Sequence, residues 1–164
     1  MNPITPCLWF DRESLAAAKY YVSIFKKESR ILSLSYYGKE GHEVHGMPEG
    51  TVLTVEFRIQ GQRFTALNGG PRFKFNESIS FQVFCADQKE LDYYWKRLSQ
   101  GGDPQAQACG WLKDKFGVSW QIVPREMTRW MSSKDKRRTE RVMKALLPMK
   151  KPDIKALKKA YAGK

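Results

Sequence analysis

The chain begins the same pattern twice. In the stretch Ser78 to Asp87 apolar residues alternate through Ile79, Phe81, Val83 and Cys85, as a strand with one buried face requires, and Asp87 then opens a helical run. The chain's first residues do likewise. Ile4 to Phe10 is apolar and extended, Asp11 can cap a helix, and Asp11-x-Glu13-x-Leu15 is echoed by Asp87-x-x-Glu90-Leu91. Further on, Tyr20-Tyr21-x-x-x-Phe25 matches Tyr93-Tyr94-x-x-x-Leu98. Two similar halves follow, each a strand, a helix and then more strands.

In the first half the run Arg12 to Lys27 sets Leu15, Ala18, Tyr21, Val22 and Phe25 at the spacing of a core-facing helical stripe. Ile31 to Tyr37 alternates as a strand, and the polar, glycine-rich Gly38 to Gly50 is a long loop. Thr51 to Gln60 alternates again, with Leu53, Val55, Phe57 and Ile59 on one side and Thr54, Glu56 and Arg58 on the other. Gly61-Gln62 is the expected turn to a partner strand, Arg63 to Asn68. In the second half the pattern predicts a helix from Gln88 to Ser99, stopped at Gly101-Gly102, then strands from Ala106 to Leu112 and from Val118 to Val123. Any third strand there must be brief. Helices follow from Lys134 to Leu147, capped by Ser133, and again after Asp153, with a break at Pro148 to Pro152.

The net charge of +12 on 164 residues is unevenly placed. Fourteen of the 29 Lys and Arg, but only four of the 17 acids, lie between Arg125 and Lys164. The body before them is nearly neutral, so charge alone does not make the whole chain a polyanion binder. No apolar run reaches the roughly 20 residues that span a bilayer, and the start lacks a basic region followed by an apolar one. A cytoplasmic protein without membrane contact is expected. Cys7, Cys85 and Cys109 are an odd set without CxxC spacing, so reduced thiols are expected, Cys7 and Cys85 partly buried. His42-Glu43-Val44-His45 suits neither one helix face nor a zinc box, and reads as an exposed polar loop.

Repetition of a strand, a helix and three strands resembles the vicinal oxygen chelate superfamily of glyoxalase, bleomycin-resistance and extradiol dioxygenase proteins. The stretches Thr51 to Phe57, Phe64 to Pro71, Ser80 to Val83, Cys109 to Gly117, Ser119 to Pro124 and Asp153 to Leu157 look like its PhnB-like branch, often labelled 3-demethylubiquinone-9 3-methyltransferase domain proteins. The resemblance implies an α+β fold: two βαβββ modules, 1–76 and a shortened 77–125, whose curled sheets surround a cavity, and a basic helical extension over 126–164. It also implies a homodimer with a small-molecule ligand. Metal-using relatives place His, Gln or Glu ligands on inward strand faces. Here Gln121 stands where they commonly carry Glu, Ser78, Ser80 and Gln82 stand in place of His, and the first strand offers only Thr5, Cys7 and Trp9.

With Glu56 the only anionic candidate, the three or more strong ligands of a divalent site are missing, and no metal is expected. Gly69-Gly70 follows a hairpin strand and precedes Pro71 rather than a helix, so no nucleotide-type cofactor site is expected either. If Glu56 and Thr54 face a cavity, burial would suit Glu56 to proton abstraction; the simpler reading is a solvated carboxylate paired with Arg58 or Arg63. Asn68, Gln82 and Gln121 can hydrogen-bond a ligand or one another, and Trp9, Phe84 and Trp111 can line the pocket. Two other readings stay open. One is a metal-dependent lyase, isomerase or dioxygenase built from Glu56, Gln82 and Gln121. The other is a nucleic-acid module led by Lys134, Lys136, Arg137, Arg138, Arg141 and Lys144, against the favoured reading of a solvated helix face whose side with Val142, Met143, Leu146 and Leu147 docks on the sheets or on a second subunit.

Overall fold

The computed structural model describes residues 4–164, and the chain divides into two compact units, Met1–Phe75 and Asn76–Lys164. Residues 1–3, part of the start read above for a leader, lie outside the described residues. The first unit runs β1 (Cys7–Phe10), α1 (Ser14–Phe25), β2 (Arg30–Tyr36), α2 (His42–His45), β3 (Val52–Ile59) and β4 (Gln62–Asn68). Its sheet has the order β1-β4-β3-β2, with β1 parallel to β4 and the other pairs antiparallel.

Helix α1 covers one face of this sheet. Val55, Phe57 and Ile59 alternate inward as their spacing demands, and the Tyr21 ring stacks on Phe57 at 6.2 Å. The helix phase differs from expectation: Ala17 and Ile24 are buried, whereas Leu15 and Val22 are only half-buried. Asp11 does not cap α1. The helix begins at a buried Ser14, whose N–H donates to the side-chain oxygen of Asn68 at 2.8 Å, and this tertiary anchor sets the rotation. The β3–β4 turn lies one residue earlier than read, at Gln60 and Gly61, whose φ values of 46° and 85° are the left-handed pair that a two-residue hairpin loop needs.

The second unit contains β5 (Phe81–Cys85), α3 (Gln88–Ser99), a 3-10 turn (Pro104–Ala106), β6 (Trp111–Lys113), β7 (Ser119–Pro124), α4 (Met127–Met131), α5 (Lys136–Leu146) and α6 (Ile154–Ala162). Its sheet order is β5-β7-β6, with β5 parallel to β7 and β6 antiparallel. That is the β1-β4-β3 portion of the first sheet, repeated without an edge strand. Helix α3 forms where the sequence places it because its start is locally encoded. Asp87 accepts from the Glu90 N–H at 2.8 Å, and Glu90 accepts from Ala86 N–H at 2.6 Å.

Two strand expectations are corrected. Strand β5 starts at Phe81, not Ser78, and Ile79 is 74% exposed. The Asn76 side chain instead takes the Ser78 N–H into a local turn at 3.0 Å. Ala106 to Leu112 is not one strand. Cys109 (φ 51°) and Gly110 (φ 89°) fold the chain back, so that Ala108 and Trp111 exchange both backbone hydrogen bonds. A turn that tight inside an alternating run leaves no mark on the alternation. The third strand is thereby reduced to an isolated bridge at Ala108.

The C-terminal helices are a packed layer. Trp130, Val142, Leu146 and Leu157 form a buried cluster, completed by Met127, Met131, Met143 and Met149. Helix α5 is capped by Asp135 rather than Ser133, α6 by Asp153 as expected, and α4 was not foreseen. Arg141 donates to the carbonyls of Ala160 (2.8 Å) and Tyr161 (3.2 Å) at the end of α6. The segment before α6 is stitched to the sheet: Cys109 and Gly110 N–H donate to Met149 and Lys150 carbonyls at 2.7 and 2.8 Å. Val142 and Leu146 thus dock within their own unit, while Leu147 is 62% exposed.

All three thiols are free, but Cys7 is exposed rather than partly buried. Burial, reinforced by Glu90 and Asp87, pushes the Cys85 thiol up to about 12. A thiol of the unfolded chain ionises near 8.5, so the folded state gains full benefit from neutral Cys85 below that pH. The benefit is lost as the pH rises from there toward 12. Thiol titration at pH 8 should therefore label Cys7 in the native protein and Cys85 only on unfolding, and unfolding free energy should fall between pH 9 and 11 less steeply in Cys85→Ala; labelling of native Cys85 would contradict the assignment.

Candidate functional site

The face of the first sheet opposite α1 carries cross-strand rows, because residues paired in register share a face. One row is Ser35, Thr54, Leu67 and Trp9 across β2, β3, β4 and β1; the next is Ser33, Glu56, Thr65 and Cys7. A third, at the hairpin end, is Arg30, Arg58 and Arg63. Trp9, Thr54 and Glu56 are therefore brought together. Ser35 and Thr54 hydroxyls hydrogen-bond at 2.5 Å. The Glu56 carboxylate lies 4.0 Å from Arg63, with both side chains about half exposed (45% and 51%), which is the solvated-pair geometry rather than a buried base.

Asn68 does not join them. It points to the helix side, is 3% exposed, caps α1 and donates its amide to the Val52 carbonyl at 2.8 Å, while its own carbonyl accepts from the Tyr37 hydroxyl. Gly69-Gly70 serves as a seat for the Trp9 indole. A Cβ on Gly69 would lie 2.2 Å from the ring, and Trp9 Nε1 donates to the Gly70 carbonyl at 2.8 Å. A turn, not a helix, follows, so these glycines do not fit a dinucleotide or adenosyl group.

On the second sheet, Gln82, Gln121 and Trp111 form a row across β5, β7 and β6. Gln82 donates to Gln121 at 3.2 Å and Gln121 to the Ser80 hydroxyl at 2.8 Å, so the two amides satisfy one another. Phe84, two residues further along β5, is 44% exposed on the same face. Trp111 also borders a depression of about 220 Å³ with Glu77, Lys113 and Ser119. A hydrogen bond from Lys113 holds the Glu77 carboxyl below the usual carboxylate range.

The donor set does not fit a resident divalent ion. Among the described residues no three His, Cys, Asp or Glu side chains cluster, and the sheet faces offer Glu56, hydroxyls and two mutually bonded amides. His42 and His45 lie on the one-turn helix α2, not an irregular loop, with no buried residue. His45 Nδ1 accepts from the Met47 N–H at 3.0 Å, and its ring sits 4.4 Å from Tyr37. Among the described residues no helix is long and apolar enough to cross a membrane.

The arginine row was missed from the sequence. Arg58 and Arg63 flank the turn symmetrically and are legible as a pair, but Arg30 enters only through a β-bulge between Ile31 and Ser33.

No curated protein matches the chain. The family model described as 3-demethylubiquinone-9 3-methyltransferase matches residues 2–123, ending before the C-terminal helices. Among solved structures, a putative 3-demethylubiquinone-9 3-methyltransferase, PhnB protein, from Bacillus cereus is 32% identical, with a TM-score of 0.62 over 75% of this chain and 99% of its own. Protein PA1353 from Pseudomonas aeruginosa shares the fold at 17% identity, TM-score 0.57, over 76% of this chain and 98% of its own. A fosfomycin resistance protein from Listeria monocytogenes is also similar at 17% identity and TM-score 0.45, over 75% of this chain and 90% of its own. Repeated module, sheet order and sequence match agree: the chain belongs to the 3-demethylubiquinone-9 3-methyltransferase, PhnB-like family of the vicinal oxygen chelate superfamily.

Proposed function

We propose that this PhnB-like chain binds a small organic molecule against the open face of a curled sheet, without a tightly bound metal, as a cytoplasmic homodimer. The observation that carries the reading is the polar, half-exposed face of the first sheet, where Trp9, Thr54, Glu56, Thr65 and Cys7 lie in adjacent rows opposite the helix. This face has an indole, hydroxyls and one carboxylate, with three arginines at its hairpin end, a surface that orients a ligand by a few polar groups beside an aromatic wall. On the second sheet Gln82, Gln121, Trp111 and Phe84 play the same part. Asn68 supports the face from behind rather than touching ligand. The free edge of β2, with Leu34 and Tyr36 exposed, supports pairing with a second copy. The three free thiols support a reducing compartment.

A thermal-shift screen of small metabolites tests this. A ligand at a hundred times its Kd stabilises the folded state by about 2.7 kcal/mol, a rise of several degrees in Tm, and Thr54→Val or Glu56→Gln should reduce that rise. A hit whose effect depends on an added divalent ion and disappears with chelator would favour the metal-dependent alternative instead.

A further inference from the structure

The row Arg30, Arg58 and Arg63 places three guanidiniums on neighbouring positions of three adjacent strands, on the same open face. Side chains directly opposite on paired strands lie about 5 Å apart at Cβ, and like charges there repel. One carboxylate, Glu56, answers the row, and it reaches Arg63 only at 4.0 Å. Arg58, the middle member, is half-buried and makes no ion pair among the described residues, where its Nε is shielded from solvent without an acceptor. A shielded donor without an acceptor is costly. Among the described residues no hydrogen bond or ion pair holds the Arg58 Nε, and two more cations stand beside it.

We propose that Arg30, Arg58 and Arg63 form the anion-recognising end of the ligand site, so that the molecule bound on the first sheet carries a carboxylate or phosphate-type oxyanion. The inference rests on the reading of that face as a ligand surface and adds the ligand's chemical class. A rotation of the Arg58 side chain presents its planar fork to an oxyanion in bidentate fashion and gives the Nε its acceptor. The flanking arginines complete the charge balance. Residues two apart on a strand are roughly 7 Å apart, so the body of a ligand anchored at Arg58 crosses the Glu56–Thr65 row and reaches the Trp9–Thr54 row. The ligand is therefore a small molecule with its charge at one end and an apolar or aromatic portion at the other.

The test uses the full chain with inorganic phosphate and, separately, malonate, each titrated at constant ionic strength against chloride, and reads binding from arginine Nε–H resonances and from Tm. Three variants are compared: Arg58→Gln, Arg30→Gln on the exposed edge strand, and a tail variant with Lys136→Gln, Arg137→Gln and Lys144→Gln to remove diffuse attraction by the basic helices. We expect one saturable site, affinity about tenfold weaker in Arg58→Gln, a smaller loss in Arg30→Gln, and retention in the tail variant. Without anion, Arg58→Gln should be at least as stable as the parent, because it relieves repulsion; a merely structural arginine would destabilise instead. Response to phosphate alone or to malonate alone identifies which oxyanion the site takes. Equal binding by Arg58→Gln and the parent, or loss of binding in the tail variant alone, overturns the proposal. If a screened metabolite binds equally well to the parent and Arg58→Gln and is not displaced by either anion, the anion inference fails while the ligand-binding reading stands. If phosphate or malonate occupies Arg58 and no metabolite binds, the arginine row takes a free oxyanion and its assignment as one end of a larger ligand site is overturned.

Discussion

Asp114→Ala should lower the unfolding free energy by about 3–5 kcal/mol, the largest effect of any polar substitution in the second unit. Asp114 is 2% exposed and stands at the turn between β6 and β7. Its Oδ1 accepts from the N–H groups of Phe116 (2.8 Å) and Val118 (3.1 Å), and its Oδ2 from the Trp120 indole at 2.8 Å. Alanine leaves three donors without an acceptor in a place where water reaches poorly, and it frees the turn whose Gly117 N–H returns to the Asp114 carbonyl at 2.9 Å. Asp114→Asn, which keeps one acceptor oxygen but turns a donor toward donors, should lose about 2 kcal/mol. Urea denaturation checks this, with a reduced midpoint at unchanged slope; a loss below 1 kcal/mol for alanine would mean that the carboxylate does not organise the turn.

Trp130→Ala should cost about 3–5 kcal/mol and should be felt in the sheet as well as in the tail. The indole is 1% exposed at the centre of the cluster with Val142, Leu146 and Leu157, and its removal leaves a cavity that three short helices cannot close. Cys109 packs on the same cluster, and its N–H and that of Gly110 depend on Met149 and Lys150. Amide exchange at Cys109 and Gly110 should therefore accelerate along with exchange in α5 and α6. Loss of protection confined to 126–164 would show that the extension folds as an appendage. The matched family model stops at residue 123, so this result bears on whether the additional helices have become part of the second unit's core.

That integration also explains what became of the tail's charge. The apolar sides of α5 and α6 are spent on the shared cluster, while Lys134, Lys136, Arg137, Lys144, Lys155 and Lys159 are exposed. The basic side chains of α5 and α6 are exposed, with Arg141 diverted to hold the end of α6.

Local signals were readable wherever a short stretch contains both the pattern and its punctuation. Asp87 and Glu90 announce α3 within four residues, and the alternation of β3 places Val55, Phe57 and Ile59 opposite Thr54 and Glu56 without reference to any other segment. Roles that depend on distant partners were not readable. Asn68 looked like a ligand residue because an asparagine at a strand end is generic; its task is to receive the Ser14 N–H from a helix 54 positions earlier. The pairing of Gln82 with Gln121 was one of two options until register fixed it. The arginine row stayed hidden because a single bulged residue in β2 moves Arg30 onto the open face, and a one-residue slip reverses every side chain. Glu56 lies on that face, as its alternation with Val55 and Phe57 requires, but its approach to Arg63 comes from the neighbouring strand and is set by register.

A map of backbone amide shifts on adding the strongest stabilising metabolite locates the ligand on the molecule. The largest changes are expected at Cys7, Trp9, Thr54, Glu56 and Thr65, with Arg58 moving in the same titration. Changes restricted to the helix-covered side of the first sheet, or to residues after Pro124, would contradict that placement.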